Sequence, residues 1–133
     1  MAVVGFDHVA ITVADVDATL EWYERALGAE RLHYDLFVSG AIPIALLQIG
    51  ASRLSVHPAA APAAPHAVAP TVGSADLCFR WSGVIGDAVD ALEAAGVAIV
   101  EGPVPRPGSN GVMGESVYCR DPDGNLIELL TVG

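Results

Sequence analysis

Residues 3–28, VVGFDHVAITVADVDATLEWYERALG, read as a strand running into a helix, and the fold is decided by meeting that pattern twice. From 3 to 13 the side chains alternate. Phe6, His8, Ala10 and Thr12 fall on one face, and Asp7, Val9, Ile11 and Val13 on the other. Asp15 stands where a helix N-cap is wanted. Val16, Leu20, Tyr23 and Leu27 then form one helical stripe, and Gly28 sits where a left-handed stop ends it. His8 is the awkward residue, because an imidazole in a strand must satisfy two ring nitrogens where Val or Ala would have none. Taken alone, it reads as a hydrogen-bonded core or edge histidine.

The pattern restarts after residue 73. SADLCFRW (74–81) alternates, GVIGDAVDALEAAG (83–96) reads as a helix, and Gly96 ends it 68 residues after Gly28. That offset lays His8 over Asp76 and Val16 over Val84. At the other end of each half, IGASRLSVH (49–57) and RDPDGNLIE (120–128) are both strand–turn–strand units, offset by 71, which lays His57 over Glu128. Each half is therefore expected to run β-α-β-β-β. The expected class is α+β, a single domain of two tandem modules, about 3–57 and 74–132. Between them lies the Pro/Ala-rich linker 58–73, whose four prolines exclude a regular helix or central strand. Residues 31–57 hold two or three strands broken by SGAIP and GAS, and 97–100 form a short apolar strand. The Gly/Pro-rich 102–114 reads as a long irregular loop and a candidate gate, SVYCR and LIELLTV as the final strands, and DPDGN as the tight turn between them.

Composition narrows the partners. A chain of 133 residues can bury a core, and its 53% hydrophobic content contains no run long enough to span a membrane. No basic segment followed by an apolar one opens the sequence, so no secretory signal is expected. Two irregularly placed cysteines, Cys78 and Cys119, make neither a disulfide framework nor a zinc knuckle, and a reducing cytoplasm is the expected location. Six arginines, no lysine and a net charge of −10 leave nothing to grip a phosphate backbone, so nucleic acid and anionic membrane are excluded as partners.

The repeat changes the reading of His8. Four polar residues, His8, His57, Asp76 and Glu128, now occupy equivalent places at module starts and ends, each within a strand. Alternation puts Asp76, Cys78 and Arg80 on one face, Arg53, Ser55 and His57 on another, and Glu128 beside Leu126 and Leu130. A carboxylate inside LIELL is partly desolvated and needs a cation. Arg53 or Arg80 would serve in a structural salt-bridge network. Two imidazoles with one or two carboxylates suit a divalent ion such as Fe, Mn, Ni or Zn better, and leave positions open for a bidentate substrate.

These residues resemble a known family. DHVAITVADVDATLEWYERALG and VYCRDPDGNLIELL are similar to the opening and closing signatures of the vicinal oxygen chelate superfamily, which includes glyoxalase I, extradiol dioxygenases, fosfomycin-resistance proteins and bleomycin-binding proteins. SVHP, GSADLCF and EGPVPRPG are similar to its virulence-protein-like glyoxalase-domain branch. The resemblance covers nearly the whole chain. It implies paired βαβββ modules in a half-open, curved sheet around a metal and ligand cavity, and a homodimer in which modules pair within or between chains. The family's ligand positions match His8, His57, Asp76 and Glu128. Asp76 departs from the pattern, since many relatives carry His there.

Three functions follow as expectations. The first is a metal-dependent lyase or isomerase acting on a small substrate with vicinal oxygens, with Glu128 able to act as the catalytic base. The second is an Fe(II) extradiol-type dioxygenase, for which His33, His66 and Tyr118 are outer-shell candidates by type. The third is a metal-free protein that sequesters a hydrophobic compound, as bleomycin-resistance proteins do, using Trp22, Trp81 and 102–114. Cys78 is expected to line the cavity without acting as a nucleophile.

Overall fold

The computed structural model describes residues 1–132. It resolves into two units, Met1–Val72 and a second beginning at Gly73, each built on one four-stranded sheet. In the first unit the elements are β1 (Val9–Val13), α1 (Val16–Leu27), β2 (Glu30–Leu32), α2 (Tyr34–Val38), β3 (Ala45–Ile49) and β4 (Ser52–Pro58). The second contains β5 (Asp76–Arg80), α3 (Ile85–Ala94), β6 (Glu101–Pro107), β7 (Met113–Arg120) and β8 (Leu126–Val132). Strand orders are β1-β4-β3-β2 and β5-β8-β7-β6, the same topology twice. In each sheet the first strand runs parallel to the last and the remaining pairs are antiparallel.

Local chemistry accounts for the elements. The Asp15 carboxylate accepts the Ala18 backbone N–H at 3.0 Å and caps α1, and Gly28 closes it in the left-handed region at φ 67°. Leu20 and Tyr23 from α1, Ile11 and Val13 from β1, and Leu54 and Val56 from β4 are buried in the first unit. The second buries Leu92, Val117, Ile127 and Leu129. The face assignment of β1 therefore holds. At the β7–β8 turn, Asp121 accepts the backbone N–H groups of Asp123 and Asn125 and the side-chain amide of Asn125. Asn125 Oδ1 in turn accepts the Ala75 N–H at 2.9 Å, tying the turn to the start of β5. Among the described residues no helix is long and apolar enough to cross a membrane.

Three expectations need correction. The first strand begins at Val9, not residue 3. Residues 97–100 are irregular, and the strand starts at Glu101. Residues 102–114 are not a loop: they make most of β6, a turn at 108–112, and the start of β7. Pro103, Pro105 and Pro107 alternate along β6, which is the edge of its sheet, so their missing N–H groups cost no ladder bonds with β7. The one-turn helix α2 was not anticipated. It gives the first unit an element with no counterpart among the described residues of the second.

Candidate metal and ligand site

In the first unit the donors are His8, one residue before β1, and His57 in β4. They are not opposite one another. The register pairs Thr12 with His57, so His8 lies four residues back, about 13 Å of extended chain. His8 Nδ1 is 2.8 Å from the Asp7 carboxylate, and that contact holds the Asp7 carboxyl below its usual range. Half-burial lowers the His57 pKa, helped by the like charges of His8 and His66, so His57 is a neutral imidazole at pH 7.

The second unit carries the carboxylates. Glu128 lies between Cys78 on β5 and Tyr118 on β7, each directly opposite it in the ladder. The Ser116 hydroxyl donates to Glu128 Oε2 at 2.6 Å, a short charge-assisted bond that fixes the carboxylate's orientation. Burial, reinforced by the charge of Glu128, pushes the Cys78 thiol up to about 11, which keeps it protonated. Burial also raises the Tyr118 phenol, whose oxygen accepts the Arg106 Nε–H at 3.0 Å. Asp76 is exposed at the start of β5, level with Leu126 and two residues from the level of Glu128. A cavity of about 390 Å³ opens on this face, lined by Cys78, Arg80, Pro107, Ser109, Glu128 and Leu130.

The structural register revises the repeat. Val9 pairs with Leu54 and Leu77 with Ile127, so the module ends are related by 73 residues, not 71. Glu128 is thus equivalent to Ser55, and His57 to Leu130. An error of two residues preserves strand parity, which is why the faces came out right while the levels did not. Arg80 does not pair with Asp76. Ser116 and Arg106 were missed, and Tyr118 was singled out by type alone. The tight DPDGN turn would have placed Tyr118 opposite Glu128, whereas Arg106 was hidden by reading 102–114 as a loop.

The donor types suit a divalent ion: an imidazole at His57 whose neutral form burial favours, the imidazole of His8, and an oriented carboxylate at Glu128. Imidazoles come from one unit and carboxylates from the other. Among the described residues no three His, Cys, Asp or Glu side chains are gathered closely enough to hold one ion.

Two matching α+β units, one supplying the candidate imidazole donors and the other the candidate carboxylates, define a paired-module fold with potential metal donors in each half. Residues 5–129 match the Glyoxalase/Bleomycin resistance protein/Dioxygenase superfamily, and the chain belongs to that family. It is 40% identical to virulence protein STM3117 of Salmonella typhimurium over 129 residues, 97% of this chain and 85% of that one. A solved integron cassette protein from V. cholerae is similar at 38% identity and TM-score 0.89, covering 100% of this chain and 98% of that one. FosX from Listeria monocytogenes, solved with Mn(II) and a dihydroxypropylphosphonic acid, shares the fold at 19% identity and TM-score 0.63, with 97% and 90% covered.

Proposed function

We propose that the chain is a divalent-metal-dependent enzyme of lyase or isomerase type acting on a small substrate with two neighbouring oxygens. The observation that carries this reading is Glu128. It is a half-buried carboxylate in the last strand, held by Ser116 and opening on a small cavity. His8, His57 and Glu128 would hold the ion, with Asp76 as a weaker fourth donor. When bound, the ion would supply Lewis acidity to the substrate's paired oxygens.

The chain's own residues do the rest. Ser116 holds Glu128 Oε2, so a Glu128 carboxylate that detached from the ion would stay oriented to accept, through its other oxygen, a proton from the carbon beside those oxygens. Pro107 and Leu130 supply the apolar wall that limits water. The reading includes a homodimer in which donors from two copies complete each site, in keeping with a family whose members often pair. The two free cysteines fit a reducing cytoplasm.

Metal content by mass spectrometry, after stripping and reloading with Mn(II), Fe(II), Ni(II) or Zn(II), tests the proposal. About one ion per chain is expected. His8→Ala and Glu128→Ala should lose it with circular dichroism unchanged, and Asp76→Ala should lose less. Failure of the unmodified protein to retain any of these ions would overturn the reading. Full retention in either of the first two variants would remove that residue from the site.

A further inference from the structure

Five of the six arginines have identifiable work. Arg31 pairs with Glu24, Arg53 bonds Gln48, Arg106 bonds Tyr118, Arg120 bonds the Gly124 carbonyl, and Arg25 is also engaged. Arg80 alone has no hydrogen-bond or ion-pair partner among the described residues, in a chain with sixteen acidic residues. It lines the same cavity as Glu128, yet the two opposite charges do not meet. Their ladder positions explain the gap. Arg80 is level with Leu130 and Glu128 with Cys78, two residues apart, or about 7 Å along the strands.

We infer that Arg80 is the binding group for a carboxylate on the substrate, held at the far end of the cavity from Glu128. A guanidinium presents two parallel N–H donors that match a carboxylate's two oxygens, and the Ser109 hydroxyl lines the same cavity as a further donor. The charge balance selects a single negative charge. Arg106 and Arg120, the other arginines on this sheet, are committed: Arg106 bonds Tyr118 and lies 4.0 Å from Glu101, and Arg120 bonds the Gly124 carbonyl. Before any ion is bound, with Asp76 and Glu128 nearby, Arg80 is the one free cation among the described residues here, and a single guanidinium cannot neutralise a dianion such as a phosphonate. The substrate class is therefore a short carboxylic acid whose oxygen pair lies a few bonds from the carboxylate. This inference rests on the small-substrate reading of the same cavity.

Titration calorimetry with 3,4-dihydroxybutanoate, its uncharged amide and 2,3-dihydroxypropylphosphonate tests it. It should be run on metal-loaded and chelator-stripped protein. The carboxylate should bind at least roughly tenfold more tightly than the amide, as expected for losing a charge-assisted pair. Arg80→Gln should abolish that preference while leaving the amide's affinity unchanged. The preference should survive metal removal, so loss of the metal reading and loss of this one are distinguishable. Equal affinity for acid and amide, no binding of any of the three at millimolar concentration, or a preference retained in Arg80→Gln would overturn the assignment. Tighter binding of the phosphonate to the stripped protein would overturn the single-charge argument.

Discussion

Cys78 shows how a neighbouring charge decides what a side chain can do. It is exposed on the same face as Glu128, and yet burial of its sulfur and the opposed carboxylate put its pKa at about 11. At pH 8 the thiolate is scarce, so alkylation by iodoacetamide should be slow in the metal-stripped protein. Glu128→Gln removes a charge that disfavours the thiolate, and alkylation should then accelerate; an unchanged rate would mean that the carboxylate does not set the thiol's pKa. His57 behaves in the opposite sense. Its folded pKa lies below the ordinary 6.5, so between those values the unfolded chain binds a proton that the native chain refuses. Stability of the stripped protein should therefore fall as pH drops below about 6.5. His57→Asn should flatten that slope in urea titrations, and an unaltered slope would assign it to other groups.

At the scale of elements, the strand β6 ties the fold to the site. Gly102 has φ 105°, and a Cβ there would collide with the Ser116 carbonyl, in the residue that orients Glu128. Gly102→Ala should cost about 1–3 kcal/mol of stability in urea unfolding. It should also weaken metal retention more than Asp15→Ala, whose helix-cap loss of about 1 kcal/mol falls in the other unit. Equal metal retention in the two variants would separate β6 from the site.

How much of this was legible follows from the same elements. The two longer helices, α1 and α3, could be read because their caps and stops are local: Asp15, Gly28 and Gly96 declare themselves, whereas the one-turn α2 has no side-chain cap to announce it. β6 could not, because three prolines look like a loop until the strand is known to be an edge. The faces of the candidate donors were readable from alternation. Their levels were not, because ladder register depends on pairings that a period-two pattern leaves free by two residues.

At the scale of the whole molecule, the same βαβββ order drawn twice from weakly similar halves places unlike chemistry in like positions. Ser55 stands where Glu128 stands, and Leu130 where His57 stands. The halves have diverged at the site while keeping Ile11, Val13, Leu54 and Val56, and Ile127 and Leu129, as buried scaffold. Sequence resemblance could assign the superfamily through those scaffold positions and the end motifs. It could not show that Arg80 lacks a hydrogen-bond or ion-pair partner among the described residues, since an unpaired charge is a property of the folded surroundings.

The prolines of β6 have one more consequence, for colloidal behaviour. An edge strand is ordinarily a template on which another chain can add by backbone pairing, the first step toward fibrils. Pro103, Pro105 and Pro107 leave the outward rim of β6 with carbonyls but no matching N–H donors, so an incoming strand finds half of its bonds missing. Replacing all three with Thr should keep the sheet and yet make concentrated solutions bind thioflavin T on prolonged agitation, where the parent protein stays clear. The same residues that disguised this strand in the sequence would then be what keeps the protein from polymerising along it.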